Sequence, residues 1–135
     1  MKLSFYIFAL IFLMLSGCGN KVKVAGRVTF SDGEPLNTGR VVFENDQFYY
    51  YGNLQKDGTF SVGVYKDGEG IPRGKYRVAI EYAFVTTPEG QPTEQLLIAE
   101  KHVSTKTSGL EYDIQERTTN IHITVEKPEP QNRKR

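Results

Sequence analysis

The strongest constraint on the fold is an alternation of apolar and polar side chains, which recurs with a period of two along most of the chain. Successive side chains of a β-strand point to opposite faces, so this alternation predicts strands with one buried face and one solvated face. Such strands are typical of an antiparallel sheet. The segments that carry the alternation are residues 21–30, 40–44, 48–54, 59–65, 75–84, 110–115 and 120–126.

Turn residues separate these segments and favour short connections. Asp32-Gly33, Asp57-Gly58 and Asp67-Gly68 supply the positive φ angles that tight hairpins require. No stretch shows a helical pattern with capping residues. We therefore predict an all-β fold, a single antiparallel β-sandwich of about seven strands. The residues expected in its core are Val24, Val28, Phe43, Phe60, Val62, Val78, Ile80, Leu110, Ile121 and Ile123.

The pattern also predicts where the domain begins and ends. The sandwich should span residues 18–126, with residues 18–21 as a short linker before the first strand. Residues 83–107 are less regular and contain Pro88, Gly90 and Pro92, which predicts a long excursion with an extra short strand near residues 96–99. Residues 127–135 contain prolines and basic side chains, and we expect a disordered basic tail there.

The first residues resemble a secretory signal peptide. Lys2 gives a positive start, residues 3–15 form the apolar stretch, and Ser16 and Gly17 are the small residues that a peptidase needs. The apolar stretch is shorter than the roughly 20 residues that cross a bilayer as a helix. We therefore predict a cleaved leader at residues 1–17, with an uncleaved anchor helix as the alternative.

Leu15-Ser16-Gly17-Cys18 resembles the bacterial lipobox, and Cys18 is the only cysteine of the chain. The resemblance implies cleavage before Cys18 and a thioether from its sulfur to a lipid that carries acyl chains such as palmitate. More than one acyl chain holds a protein stably, at ~0.8 kcal/mol per buried CH₂. We expect a lipid-anchored protein of the cell envelope; the alternative is a cysteine within an ordinary signal peptide. Gly19 in place of Asp favours the outer membrane over the inner membrane.

Several segments together resemble the carboxypeptidase-regulatory-like domain. They are GRVTFSDGEPL (26–36), GRVVF (39–43), DGTFSVGVY (57–65) and GIPRGKYRVAI (70–80). IAEKHVSTKTSGLEYDIQ (98–115) extends the likeness to small bacterial lipoproteins built from that one domain. The resemblance implies an Ig-like, transthyretin-like sandwich over residues 21–125. Its motifs are structural rather than catalytic, so it implies a fold and no reaction.

The charge balance argues against one class of partner. The chain has 17 Lys and Arg residues against 16 Asp and Glu residues, and Lys2 lies in the predicted leader. The mature chain would therefore have no net charge and no basic footprint for nucleic acid. We expect no nucleic-acid partner.

The residues that could carry chemistry are few. His102 and His122 are the only histidines, and the alternation places His122 in solvent, so we expect ordinary surface histidines rather than metal ligands. Residues 67–70 lack the ligand spacing of a calcium loop. Ser61 lacks the Gly-x-Ser-x-Gly context of a nucleophile. We expect no catalytic residue, no metal and no cofactor.

Two functions remain open from the sequence. The first is a non-catalytic, lipid-anchored binding or structural module exposed to the periplasm or the cell surface. The alternative is a small transthyretin-like hydrolase with a site at a subunit interface, which would need His, Arg and Ser in one cleft. The two histidines make the first function the better hypothesis.

The stretch FYYYGNL at residues 48–54 carries aromatic side chains on both faces of a predicted strand. Residues of one parity, Phe48, Tyr50 and Leu54, should point inward. Tyr49 and Tyr51 should then lie side by side on the outer surface, where a rigid ring with a polar tip suits recognition. We predict that they contact an envelope protein or glycan; alternatively, they only flank a cross-strand neighbour or lie beneath residues 83–107.

Overall fold

The computed structural model describes residues 21–63 and 69–130. The predicted leader, Cys18 and the end of the predicted tail at residues 131–135 lie outside the described residues. So do Asp67 and Gly68 of the third predicted turn. Residues 21–63 and 69–130 contain no helix with the length and hydrophobicity of a membrane span.

The described residues form eleven strands and one 3-10 helix, and the chain is all-β as predicted. The helix, Glu100–Val103, is a single short turn that the alternation did not predict. The strands are β1 (Lys21–Val22), β2 (Val24–Phe30), β3 (Arg40–Glu44), β4 (Tyr49–Asn53), β5 (Thr59–Ser61), β6 (Ile71–Pro72), β7 (Gly74–Glu81), β8 (Phe84–Thr86), β9 (Pro92–Leu96), β10 (Leu110–Ile114) and β11 (Thr118–Val125).

Two sheets make the sandwich. The first has the order β10-β7-β3-β4 with every pair antiparallel, and the second has the order β11-β2-β5. β2 and β5 are antiparallel, but β2 and β11 are parallel, which differs from the predicted purely antiparallel arrangement. The difference has a simple cause, because alternation specifies which face a side chain takes and not which direction a neighbouring strand runs.

The core lies between these two sheets and matches the predicted set closely. Leu110 is half-buried against the core, and every other predicted core residue is buried. Phe43 of the first sheet lies at the centre, with its ring centroid 6.3 Å from that of Phe60 in the second sheet. The same ring lies 6.2 Å from the rings of Tyr76 and Tyr112. The contact with Phe60 joins the two sheets, whereas Tyr76 and Tyr112 belong to the same sheet as Phe43.

The sheets also meet through the backbone at β4. Tyr51 N–H donates to the carbonyl of Gly63 at 3.3 Å, and Gly63 N–H donates back at 3.0 Å. Gly52 lies against the carbonyl of Ser61 so closely that a Cβ would not fit. The backbone of β4 is therefore fixed on both sides, by β3 and by Gly63.

The irregular segment 83–107 forms a hairpin rather than a loose loop. β8 and β9 pair with each other, and the short strand expected at residues 96–99 is found earlier, at Pro92–Leu96. Ile98 is fully buried, and Ala99 N–H donates to the carbonyl of Glu126 at 2.8 Å. The segment therefore packs against the core and is hydrogen-bonded to the residue that follows β11. At the start of the predicted tail, Lys127 donates to Asp32 at 3.2 Å.

Candidate functional site

Tyr49 and Tyr51 lie on the outer face of β4, the edge strand of the four-stranded sheet, as the alternation predicts. Tyr49 is 42% exposed and Tyr51 is half-buried, with 6.4 Å between their ring centroids. Tyr50 and Leu54 are buried on the inner face, also as predicted. Phe48 is the exception at 36% exposure, because β4 begins at Tyr49 and Phe48 precedes the sheet.

Arg40 occupies the centre of this outer face. In β3 it lies opposite Asn53 of β4 and Glu81 of β7. Its Cζ lies 4.5 Å from the ring centre of Tyr51 and 5.8 Å from that of Tyr49. The guanidinium is thus within cation–π distance of both tyrosines.

A closed set of hydrogen bonds connects Arg40, Glu81 and Tyr49. Arg40 Nε and Nη2 donate to Glu81 Oε2 at 3.0 and 2.7 Å. Arg40 Nη2 also donates to the Tyr49 hydroxyl at 2.8 Å, and that hydroxyl donates to Glu81 Oε2 at 2.7 Å. An ion pair near the surface stabilises a fold by only roughly 0–1 kcal/mol. Here its larger effect is to hold the Tyr49 ring in one orientation.

Burial and the neighbouring charged groups favour the neutral form of Tyr49. Burial, the hydrogen bond to Glu81 and the negative charge of Glu81 together raise the pKa of Tyr49 to about 12, against the opposing effect of Arg40. Burial alone would lower the pKa of Arg40, but the hydrogen bond to Glu81 and the nearby charges raise it overall. At neutral pH the site therefore holds a neutral phenol and a charged guanidinium.

Tyr82 completes the face, although it shares the parity of the buried residues in the alternating segment 75–84. The alternation of β7 placed it inward with Tyr76, Val78 and Ile80, yet Tyr82 is 61% exposed. β7 ends at Glu81, and the backbone of Tyr82 has a φ of 57°, which turns the side chain outward. Its ring centre lies 4.6 Å from Arg40 Cζ. A positive φ is unusual for a bulky residue and costs of order 1–3 kcal/mol.

The packing of neighbouring backbone accounts for this reversal. Ala83 takes the buried position after β7, and its carbonyl accepts from Leu97 N–H at 2.9 Å. Gly39, with a φ of 103°, approaches so closely that a Cβ would lie 2.7 Å from the carbonyl of Glu81. The turn is thus held by β3 on one side and by residue 97 on the other. We call the surface formed by Arg40, Tyr49, Tyr51, Glu81 and Tyr82 the tyrosine face.

The two histidines lie in different surroundings. His122 is exposed as predicted, and its Nε2 lies 2.9 Å from the Thr29 hydroxyl. His102 is only 5% exposed, contrary to the expected surface histidine, because the unpredicted 3-10 helix carries it inward. Its Nε2 accepts from Glu126 N–H at 3.2 Å, while its buried Nδ1 has no hydrogen-bond partner within the described residues. Burial lowers the pKa of His102, and the charge of Lys101 lowers it further.

No group of side chains suited to a metal occurs within residues 21–63 and 69–130. An open groove of about 1300 Å³ lies between β9, the 3-10 helix and residues 126–130. None of the residues that line it belongs to the tyrosine face. Two of its acidic side chains are paired, Glu126 with Lys101 and Glu34 with Lys127.

The chain matches no family model and no curated protein. Among solved structures it is similar to a DUF3823 family protein from Bacteroides ovatus ATCC 8483, with a TM-score of 0.44 and 16% identity over 78% of this chain and 44% of that chain. It is also similar to a 9R-lipoxygenase from Cyanothece PCC8801, with a TM-score of 0.37 and 17% identity over 79% of this chain and 16% of that chain. The chain spans less than half the length of either protein. Likeness at this level carries no argument about function.

Proposed function

We propose that the protein is a non-catalytic, lipid-anchored module of the cell envelope, and that its tyrosine face binds another envelope component. One observation carries the proposal: Tyr49 and Tyr82 are 42% and 61% exposed, yet each is held against Arg40. Exposed aromatic rings that are fixed before binding lose little conformational entropy when a partner arrives. Tyrosine and arginine are also the side chains that dominate the energetics of many interfaces.

The backbone of Tyr82 supports the same function. A tyrosine in the left-handed region destabilises the fold, and the strain does not bury the ring. Stability alone would favour glycine at such a position, or an inward tyrosine on a regular strand. A strained residue that exposes an aromatic ring beside two other tyrosines is better explained by a binding role.

The anchor in this proposal is Cys18, as the resemblance to the bacterial lipobox implies. β1 begins at Lys21, so only residues 18–20 would separate the lipid from the first strand. Three residues reach roughly 10 Å when extended, which would keep the sandwich close to the membrane surface. The resemblance to the carboxypeptidase-regulatory-like domain and the preference for the outer membrane belong to the same proposal.

The alternative hydrolase has no specific contact in its favour. It would require histidine, arginine and serine in one cleft. In the described residues Arg40 is surrounded by tyrosines, whereas His122 meets Thr29 and His102 meets the backbone of Glu126. A binding module therefore accounts better for the arrangement.

Capture from the intact envelope tests the proposal. The full chain is recovered from detergent-solubilised envelopes, and the co-purifying material is compared between wild type and a Tyr49→Ala, Tyr51→Ala double variant. We expect the double variant to lose most of the captured material while its unfolding midpoint changes by less than about 4 °C. Phe48→Ala is the matched control. Phe48 is also exposed, but its ring packs against Tyr50, on the opposite side of the strand from Tyr49 and Tyr51. Equal capture by all three proteins would contradict the proposal.

A further inference from the structure

We infer that the ligand of the tyrosine face is a neutral glycan chain. This inference rests on the proposed function, which requires only that the face binds some envelope component. It goes further by naming the chemistry of the ligand. Three features of the face carry it: the charge balance, the exposed rings and the remaining hydrogen-bonding groups.

The charge balance argues for a neutral ligand. The guanidinium of Arg40 is matched by the carboxylate of Glu81 at 2.7 Å, so the centre of the face carries no uncompensated charge. An anionic ligand would have to displace Glu81 from Arg40, and a cationic ligand would have to displace Arg40 from Glu81. Both exchanges would break charge-assisted hydrogen bonds, which are about twice as strong as neutral ones.

The exposed rings suit the apolar side of a sugar. The C–H groups on one face of a pyranose carry partial positive charge, and the face of an aromatic ring is negative. Tyr82 is the most exposed of the three tyrosines, and Tyr49 is the next. The centres of the Tyr49 and Tyr82 rings lie 5.8 and 4.6 Å from Arg40 Cζ, so a glycan chain that crosses Arg40 would meet both rings.

The remaining polar groups suit sugar hydroxyls. All the hydrogen bonds that the described residues make to the Glu81 carboxylate end on Oε2, so Oε1 is available to accept one from a ligand. Within residues 21–63 and 69–130, Arg40 donates to other side chains through Nε and Nη2, so Nη1 is available to donate to a ligand. A sugar hydroxyl both donates and accepts, and neighbouring hydroxyls can use an adjacent donor and acceptor together.

The size of the face favours a glycan over a protein. A stable protein interface buries about 800 Å² on each partner around an apolar centre. Among the described residues, the large exposed hydrophobic side chains are Phe48, Tyr49 and Tyr82, and Phe48 belongs to the inner parity of its strand. Two exposed rings beside one ion pair match a few sugar units better than the centre of a protein interface.

The test uses the full chain in detergent and insoluble envelope material from the bacterium that produces it. The material is used untreated, after protease digestion, and after periodate, which cleaves vicinal diols of sugars. A fourth sample contains about 0.5 M NaCl, where surface charges are screened within a few ångströms. The measured quantity is the fraction of protein bound. The variants are Tyr82→Ala, Tyr82→Phe, which keeps the ring, and Phe48→Ala as the control.

We expect binding to survive protease and salt, to be lost after periodate, and to weaken about tenfold in Tyr82→Ala but little in Tyr82→Phe or Phe48→Ala. Binding that is lost after protease, survives periodate and still depends on Tyr82 would overturn the glycan and leave the proposed function intact. Binding abolished by salt would overturn the neutral ligand. Binding that no tyrosine variant changes would overturn both proposals.

Discussion

Arg40 and Tyr82 are in contact because the side chain of Tyr82, just after β7, points to the outer face of the sheet instead of the inner face. Arg40 Cζ lies 4.6 Å from the ring centre of Tyr82, although alternation along β7 would place that ring in the core. The φ of 57° at Tyr82 brings the ring to the outer face, and Ala83 fills the buried position instead. A single backbone angle therefore decides whether the outer face has two tyrosines or three.

This angle predicts an unusual ranking of variants at residue 82. An L-residue in the left-handed region costs about 1–2 kcal/mol, a cost that glycine does not carry. We expect Tyr82→Gly to be more stable than Tyr82→Ala by roughly 0.5–1 kcal/mol in urea unfolding. The control is Lys75, exposed within β7, where the alanine variant should be the more stable of the two. If the alanine variant is the more stable one at residue 82 as well as at residue 75, Tyr82 is not strained.

The ionisation of Tyr49 provides a second prediction. Its pKa is raised to about 12 by burial and by Glu81, so the folded state holds the phenolic proton more tightly than the unfolded state. This contribution to stability is present below about pH 10 and is lost as pH rises from about 10 to 12. Tyr49→Phe should therefore lose less stability than wild type over that interval. The measurement is urea unfolding at several alkaline pH values, and identical curves would contradict the prediction.

The sequence alone predicted the all-β fold and two of the five residues of the tyrosine face, for a definite physical reason. Alternation is a local property of a strand, so it identified the core and placed Tyr49 and Tyr51 outward without knowledge of their neighbours. Arg40 and Glu81 escaped prediction because they are 41 residues apart in sequence and meet only through the pairing of β3 with β7. No local pattern specifies which strands pair.

The positions of Tyr82 and His102 could not be predicted from the local sequence pattern. Tyr82 follows the alternation of β7 in sequence, but tertiary contacts of Ala83 and Gly39 change its backbone angle. His102 lies in an irregular segment, where no periodicity indicates burial, and only the 3-10 helix brings it beneath the surface. Gly39, which packs against the turn at Tyr82, and Ile98, which is buried shortly before His102, are the sequence features associated with these two exceptions. Neither residue by itself predicts the angle of Tyr82 or the burial of His102.

His102 predicts a loss of stability in acid. Burial and Lys101 lower its pKa in the folded state, so the unfolded state binds a proton first as the pH falls. The stability present above about pH 6.5 is therefore lost as pH falls through the folded pKa. Protonation of Nε2 would also remove the acceptor for Glu126 N–H. His102→Gln should have a flatter stability profile than wild type between about pH 7 and 5, measured by urea unfolding at several pH values, and identical profiles would contradict the prediction.

The inner and outer faces of the sheets predict very different costs of truncation. Ile80 is fully buried between the sheets, so Ile80→Ala removes packed methyl groups and should cost about 2–5 kcal/mol. His122 is exposed on β11, and His122→Ala should cost much less. Thermal unfolding followed by circular dichroism measures both. Equal shifts in the midpoint would contradict the assignment of faces.

The proposed lipid anchor on Cys18 can be tested by mass spectrometry and detergent partitioning. A chain that begins at Cys18 and carries lipid should show the added acyl mass by mass spectrometry and should partition into detergent. Cys18→Ser should lose both properties, because the apolar area of the acyl chains supplies the membrane affinity, at ~0.8 kcal/mol per CH₂. Gly19→Asp is the matched control: it leaves the thiol in place, so lipid and detergent partitioning should persist while the protein moves to the inner membrane. If Cys18→Ser still fractionates with membranes, some other part of the chain holds it there, and the sandwich need not lie within the short reach of residues 18–20.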